Sequence, residues 1–134
     1  PSRSVLRCMQ LEEPILSAPR VYISGPMTGY KDFNFPAFFE AEERLRAAGY
    51  EPVNPARLNP GPHPAPNATP AQHKAYHQQC LREDIRALCD CTMLALLTGW
   101  ELSDGAQLEL HIAHRLGIKP CLIEQLLQEP SWTK

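Results

Sequence analysis

The chain has 134 residues, of which 43% are hydrophobic and 21% are charged, and its formal net charge is −2. This length suits one domain with a single core. The charge predicts neither a nucleic-acid surface nor an anionic-membrane surface. No apolar run approaches the roughly 20 residues that a membrane span needs, and no stretch has the form of a signal peptide.

The cysteines are scattered along the chain and include no Cys-x-x-Cys pair. They are Cys8, Cys80, Cys89, Cys91 and Cys121. An odd number without a framework pattern favours free thiols in a reducing compartment. We therefore expect a cytoplasmic location.

The first predicted strand follows an N-terminal extension, residues 1–19, which has no sustained periodicity. Arg20–Ser24 is short, apolar and β-branched, which predicts a buried strand. The turn Gly25–Gly29 after it contains two glycines and a hydroxyl. This turn could bind an anion through its backbone N–H groups, or it could be a plain connection from the strand to a helix.

A helix and a second strand come next. Asn34 is the predicted N-cap, an apolar stripe runs over residues 38–48, and Gly49 has the character of a C′ residue. Tyr50–Val53 is the second strand. The proline-rich stretch 55–70 has no apolar period, and it predicts a loop that is either a wall over a cleft or a surface insertion.

The second half of the chain repeats the alternation of helix and strand. Thr69 and Gln72 form a predicted capping box that opens a helix ending near Leu88. The apolar positions of that helix are Ala71, Ala75, Leu81, Ile85 and Leu88. A strand at Thr92–Leu97 leads to a helix that is capped by Ser103 or Asp104 and ends at Gly117, and a strand at Lys119–Ile123 follows. Residues 124–134 suit a short helix or an edge strand. The βαβ pattern predicts an α/β fold with a ligand site at the carboxyl ends of the strands.

Two acids lie on the apolar faces of the helices that flank the third strand. Asp84 is on the helix that enters this strand, and Glu109 is on the helix that leaves it. Apolar surroundings raise a carboxyl pKa, and a nearby anion raises one member of a pair further. Such a pair can supply an acid and a nucleophile for breaking a glycosidic bond. Ion pairs with nearby arginines are the structural alternative.

Other chemistries have weaker support. His73, His77 and Cys80 have ligand-like spacing on one helix, but no fourth ligand is evident, so we predict no metal and no cofactor. Cys89 and Cys121 are expected at buried strand ends, which disfavours a cysteine nucleophile. Motifs for a P-loop, a dinucleotide fold or a serine hydrolase are absent from the sequence.

Several motifs in this order resemble the nucleoside 2-deoxyribosyltransferase-like superfamily over roughly residues 20–123. They are Val21-Tyr-Ile-Ser-Gly-Pro-Met-Thr-Gly29, Asn34-Phe-Pro-Ala-Phe38, Asn54-Pro55, the helix with Asp84, and Gly105-Ala-Gln-Leu-Glu109. The chain is most similar to a phage and bacterial branch described as a domain of unknown function, and it is also similar to the 2′-deoxynucleoside 5′-phosphate N-hydrolases. This resemblance implies a flavodoxin/Rossmann-like three-layer sandwich with a four- or five-stranded, mainly parallel sheet, formed by a single domain over residues 20–134.

The resemblance also implies roles for individual residues. Glu109 corresponds to the nucleophile, Asp84 to the aspartate that assists the leaving base, and Tyr22 to the tyrosine that orients the nucleophile. Ser103 stands where the N-hydrolases bind a 5′-phosphate, and the turn Gly25–Gly29 stands where family members wrap the sugar-phosphate. The substrate-binding residues expected on this basis are Ser24, Gly25, Pro26, Met27, Thr28, Gly29, Asn54, Ser103, Asp104 and Gly105.

These residues predict an N-glycosidase acting on a (deoxy)nucleotide or nucleoside, with hydrolysis favoured over base transfer. Ser103 and the turn Gly25–Gly29, at a helix N-terminus, favour a substrate with a 5′-phosphate. Ala106 and Gln107 depart from the transferase and N-hydrolase patterns, respectively. The alternatives are a nucleotide-binding module without catalysis and a glycohydrolase that cleaves NAD. We also expect a homodimer or a higher homo-oligomer, because family members are oligomeric and the phenylalanines at 33, 35, 38 and 39 exceed what one helix needs for its core.

Overall fold

The computed structural model describes residues 18–58 and 61–128. Most of the predicted N-terminal extension and the last six residues of the chain lie outside these ranges. Within the described ranges, no helix is both long enough and apolar enough to cross a membrane.

Four parallel strands form one sheet in the order β2-β1-β3-β4. They are β1 (Arg20–Ser24), β2 (Glu51–Val53), β3 (Met93–Leu96) and β4 (Lys119–Leu122). Every strand lies within one residue of its predicted ends. The predicted parallel α/β sheet is therefore confirmed.

Helices cover both faces of this sheet. They are α1 (Phe35–Ala47), α2 (Pro70–Cys89), α3 (Asp104–Leu116) and α4 (Ile123–Gln128). Phe38 of α1 packs in the core on the face of β1 that carries Ile23, and α4 joins the same cluster. Leu88 of α2 and Ala113 of α3 pack on the opposite face, which carries Tyr22. The result is the predicted three-layer sandwich.

The helix ends follow the sequence signals with one exception. Thr69 and Gln72 make the predicted capping box, and the Ser103 hydroxyl caps α3. Asn34 is the N-cap residue of α1, as predicted, but its side chain makes no capping hydrogen bond. Asn34 adopts a left-handed conformation with φ 60°, and its Nδ2 donates to the carbonyl oxygen of Pro26 over 2.9 Å instead. Asp32 and Phe33 before it are left-handed as well.

The apolar stripe predicted for α2 is buried only toward the end of that helix. Leu88 is fully buried, whereas Ala71 and Ala75 are exposed. A 20-residue helix is about 30 Å long, while a four-residue strand spans only about 13 Å. The first half of α2 therefore extends beyond the carboxyl ends of the strands, where it stands beside a cleft.

The proline-rich stretch begins with an anchored turn. Pro55–Arg57 is a short 3₁₀ helix, and Arg57 donates two hydrogen bonds of 2.6 Å to the carboxylate of Glu42 on α1. The hydrogen bond from Arg57 is the main cause that lowers the pKa of Glu42. This pair fixes the start of the loop next to α1, so that the loop is held as one wall of the cleft.

Candidate active site

The strand order reverses between the two central strands, β1 and β3. The chain continues from β1 to one edge of the sheet and from β3 to the other edge. In open parallel sheets, ligands bind outside the carboxyl ends of the strands at such a position. A cleft of about 840 Å³ lies here, bordered by both Tyr22 and Glu109. This volume is within the range of roughly 300–1,000 Å³ that is typical of small-molecule sites.

Glu109 is buried on α3, and its carboxylate accepts a hydrogen bond at each oxygen. The hydroxyl of Tyr22 donates to Oε2 over 2.5 Å, and the hydroxyl of Ser24 donates to Oε1 over 2.6 Å. Tyr22 and Ser24 are two residues apart on β1, so both side chains lie on the face of the sheet that α3 covers. Both lengths match charge-assisted O–H···O⁻ bonds.

Burial and hydrogen bonding act in opposite directions on Glu109. Burial is the largest effect and raises the pKa of its carboxyl, whereas the hydrogen bonds from Ser24 and Tyr22 lower it. Burial, and then the charge of Glu109, raise the pKa of Tyr22 well above 10, so its phenol stays protonated and donates. No cation among residues 18–58 and 61–128 forms an ion pair with Glu109.

Asp84 borders the same cleft from α2. Burial, followed by the charge of Glu109 and that of Glu83, raises the pKa of Asp84 to about 7. Asp84, like Glu109, is absent from the ion pairs of the described part of the chain, which removes the arginine-pair alternative for these two acids there. A carboxyl that titrates near neutral pH can both give and accept a proton.

The turn after β1 contributes most of its residues to the cleft. Gly25, Pro26, Met27 and Thr28 border the cleft, whereas Gly29 does not. A Cβ at Gly25 would lie 2.8 Å from the Cβ of Leu97, so a larger residue would push the turn away from β3. Close packing therefore explains the first glycine of this turn.

The start of α3 lies beside the turn. Ser103, Asp104 and Gly105 border the cleft, as expected. The Ser103 hydroxyl already accepts a hydrogen bond of 3.1 Å from the backbone N–H of Ala106, and the Asp104 carboxylate adds a negative charge in the first helical turn. The hydroxyl thus has a helix-capping role, and the neighbouring carboxylate does not favour an anion here.

Besides Gly29, two of the expected binding residues do not border the cleft. Ser24 contacts Glu109 rather than the cleft, as described above. Asn54 is buried, and its Oδ1 accepts a hydrogen bond of 2.9 Å from the backbone N–H of Ala56, so it caps the 3₁₀ helix that starts the proline-rich stretch. The structure brings together Tyr22, Asp84 and Glu109 at the cleft and places Asn54 outside it.

An aromatic wall of the cleft was not predicted from the sequence. Phe33 stacks on His63 with ring centroids 5.8 Å apart, and His63 lies 4.7 Å from the ring of Tyr76. Phe35 and Phe38 border the cleft too. Helical spacing could have suggested Tyr76 and Cys80, because they lie on the face of α2 that carries Asp84. The loop residue His63 has no periodicity that could reveal it.

The potential metal ligands do not assemble. His77 and Cys80 border the cleft, but His73 does not. Among the described residues, no group of three or more His, Cys, Asp and Glu side chains could hold a metal ion. Cys89 was expected at a buried strand end, and this expectation is wrong. The helix α2 continues one residue past Leu88, so Cys89 is its last residue and is exposed.

The charged residues that border the cleft are all acidic. They are Glu83, Asp84, Asp104 and Glu109, and no Lys or Arg of the described ranges is among the cleft residues. Glu83 is held by hydrogen bonds from Gln79 and Arg86. The resulting field disfavours anionic ligands.

Comparison with known proteins agrees with this architecture. The structure is similar to that of a 2-deoxyribosyltransferase from the psychrotolerant bacterium Bacillus psychrosaccharolyticus, with a TM-score of 0.57 and 18% sequence identity over 77% of this chain and 70% of that chain. No curated protein matches the sequence significantly. The predicted resemblance to the nucleoside 2-deoxyribosyltransferase-like superfamily is confirmed at the level of the fold. The matching sequence profile covers residues 19–121, and the chain therefore belongs to the family described as "Domain of unknown function (DUF4406)".

Proposed function

We propose that the protein is an N-glycosidase that hydrolyses the base–sugar bond of a deoxynucleoside. Glu109 is the nucleophile, Tyr22 orients it, and Asp84 protonates the leaving base. One observation carries this proposal: a buried carboxylate with a hydroxyl donor on each oxygen borders a cleft together with a second acid whose pKa is about 7. Two carboxyls in different environments are the usual equipment for glycosidic cleavage.

The reaction takes place in two steps. Glu109 attacks C1′ of the sugar while the C1′–N bond breaks, and the bond's electron pair leaves on the base, which takes the proton of Asp84. Water then attacks C1′ of the ester and gives a proton to the Asp84 carboxylate, and the C1′–O bond electrons return to Glu109. The products are free base and free sugar, and both acids regain their starting forms.

The cleft supports a base and admits water. The rings of Phe33, Phe35 and Tyr76 offer apolar faces on which a planar base can pack. Leu102 is 90% exposed and Phe33 is 52% exposed at the border of the cleft, so solvent reaches the site. Access of water favours hydrolysis of the ester over transfer to a second base. The absence of a 2′-hydroxyl on the sugar makes the oxocarbenium-like transition state easier to reach, which favours deoxy substrates.

The charges of the cleft favour a nucleoside, in contrast to the nucleotide that the sequence favoured. A 5′-phosphate carries up to two negative charges, and the charged residues at the border of the cleft are all acidic. Asp104 and Glu109 have no ion-pair partner among the described residues, whereas Glu83 is paired with Arg86. The same repulsion acts against the pyrophosphate of NAD, the substrate of the alternative glycohydrolase.

A nucleotide-binding module without catalysis is the second candidate. Its cleft would need apolar walls and a few polar groups, which this cleft has. Such a module would have no use for a buried and a half-buried acid without cations, because desolvating them costs free energy that binding alone does not recover. We therefore favour the enzyme.

A base-release assay tests this proposal. The protein is incubated with each deoxynucleoside, its 5′-monophosphate, the ribonucleosides and NAD, and free base is measured by chromatography, with and without a second base. We expect a deoxynucleoside to exceed its monophosphate by at least about 10-fold in kcat/KM, which corresponds to about 1.4 kcal/mol of repulsion. If no compound releases base and nucleosides still bind, the protein is a binding module.

A further inference from the structure

The two oxygens of Glu109 are held in different surroundings. The Tyr22 side chain borders the cleft, and its hydroxyl donates to Oε2. Ser24 is fully buried, as Tyr22 is, but it lies outside the cleft border, and its hydroxyl donates to Oε1. Oε2 is thus the oxygen on the cleft side, and Oε1 is the oxygen on the side of the sheet.

The sheet fixes Ser24 in place. Ser24 is paired with Leu96 in the register between β1 and β3, and its carbonyl oxygen accepts a hydrogen bond of 2.8 Å from the backbone N–H of Leu97. The backbone and the Cβ of Ser24 therefore keep their places if the carboxylate turns, and the hydroxyl moves only by rotation about χ1. A carboxylate that keeps this bond has only one oxygen available to the cleft.

We propose that Ser24 is a positioning residue that holds Oε1 of Glu109 as the non-bonding oxygen, so that Oε2 forms the bond to C1′ and Ser24 favours breakdown of the resulting ester. This inference rests on the proposed function and extends it. In the ester, Oε1 is the carbonyl oxygen. When water displaces Glu109 from C1′, the electron pair returns to the carboxylate and the hydrogen bond from Ser24 becomes charge-assisted, which roughly doubles its strength.

The bond has opposite consequences for the two steps. It slows attack, because it stabilises the charged carboxylate that must react. It speeds hydrolysis of the ester, because it stabilises the carboxylate that leaves. Removing the bond therefore slows the second step relative to the first, and the glycosyl-enzyme should accumulate. Its loss also raises the pKa of Glu109, because the hydrogen bond from Ser24 opposes the effect of burial.

The test compares Ser24→Ala with Ser24→Thr, which keeps a hydroxyl on the same strand. Rapid-quench measurement follows free base and free sugar separately, with the deoxynucleoside that the wild type cleaves best. For Ser24→Ala, we expect sugar release to fall by about 10- to 100-fold, a burst of base before the steady state, and an acidic limb of the pH profile at higher pH. Ser24→Thr should restore most of the rate and the position of that limb.

Each outcome decides the inference. Equal rates and pH profiles for wild type and Ser24→Ala would overturn it, as would a Ser24→Ala variant in which base and sugar release fall together without a burst. A Ser24→Thr variant that folds as well as Ser24→Ala, but recovers neither the rate of sugar release nor the position of the acidic limb, would also overturn it. If the wild type itself releases no base, the proposed function fails, and that failure appears in the wild type rather than in the comparison of variants.

Discussion

Glu109→Gln is expected to lower kcat for base release by about 10⁴-fold or more, because the amide cannot form the bond to C1′ that replaces the base. The substitution keeps the size of the side chain and still offers an acceptor oxygen to Tyr22 or Ser24. Nucleoside binding should therefore persist. The measurement combines single-turnover base release with equilibrium binding of the same nucleoside.

The matched control for this variant is Glu101→Gln. Glu101 is exposed in the 3₁₀ helix Trp100–Leu102, and its side chain is not part of the cleft border. We expect its activity to equal that of the wild type. Full activity in Glu109→Gln would remove the assigned nucleophile even if the wild type proves to be a glycosidase.

Asp84→Asn is expected to lower kcat by about 10²- to 10⁴-fold for ordinary bases, because the amide cannot protonate the departing nitrogen. Burial is the main reason that the pKa of Asp84 lies near 7, so the wild type loses its proton donor as the pH rises through about 7. The alkaline limb of the kcat/KM profile, which reports the free enzyme, should therefore have a midpoint near this pH in the wild type and disappear in the variant. The acidic limb, which reports ionisation of Glu109, should lie above 4.5 because burial raises the pKa of that carboxyl.

A substrate with a cationic base separates proton donation from other defects. The base of 7-methyl-2′-deoxyguanosine leaves without taking a proton, so in a single turnover Asp84→Asn should release this base at nearly the rate of the wild type, whereas the later hydrolysis of the ester still lacks the Asp84 base. Equal losses with this substrate and with ordinary deoxynucleosides would show that Asp84 does not act as the acid.

The regular elements could be predicted from local signals. The capping box at Thr69 begins one helix and the glycine at 117 ends another. Both depend on bonds within a few residues, and the sequence shows both partners. The buried strands follow from their β-branched apolar runs. These features depend on neighbours in the chain, so the ends of the helices and strands could be predicted to within one or two residues.

The assignments that failed concern polar side chains that can bind either of two neighbouring segments. Asn34 resembles an N-cap by type, but its side chain binds the carbonyl oxygen of Pro26 in the preceding turn. Asn54 resembles a ligand contact by its place after β2, yet it caps a turn of the proline-rich stretch. A polar residue next to an element can serve either neighbour, and only the fold decides between them.

The site was predicted in part. The positions of Asp84 and Glu109 on apolar helix faces follow from helical periodicity, and both border the cleft. The aromatic wall was not predicted, because Phe33 adopts a left-handed conformation and His63 lies in a loop. Phe33, Phe35 and Phe38 border the cleft, so the cleft offers a use for this surplus of phenylalanines besides a subunit contact. The homo-oligomer stays a prediction.

The site at which the sugar attaches to the protein tests most directly whether Glu109 is the nucleophile. A deoxynucleoside with fluorine at C2′ slows hydrolysis of the glycosyl-enzyme, so the ester can be digested and located by peptide mass spectrometry. The account predicts one sugar per chain, on Glu109, with stoichiometric release of base. Base release with the sugar on another residue, or with no sugar on the protein, would contradict it.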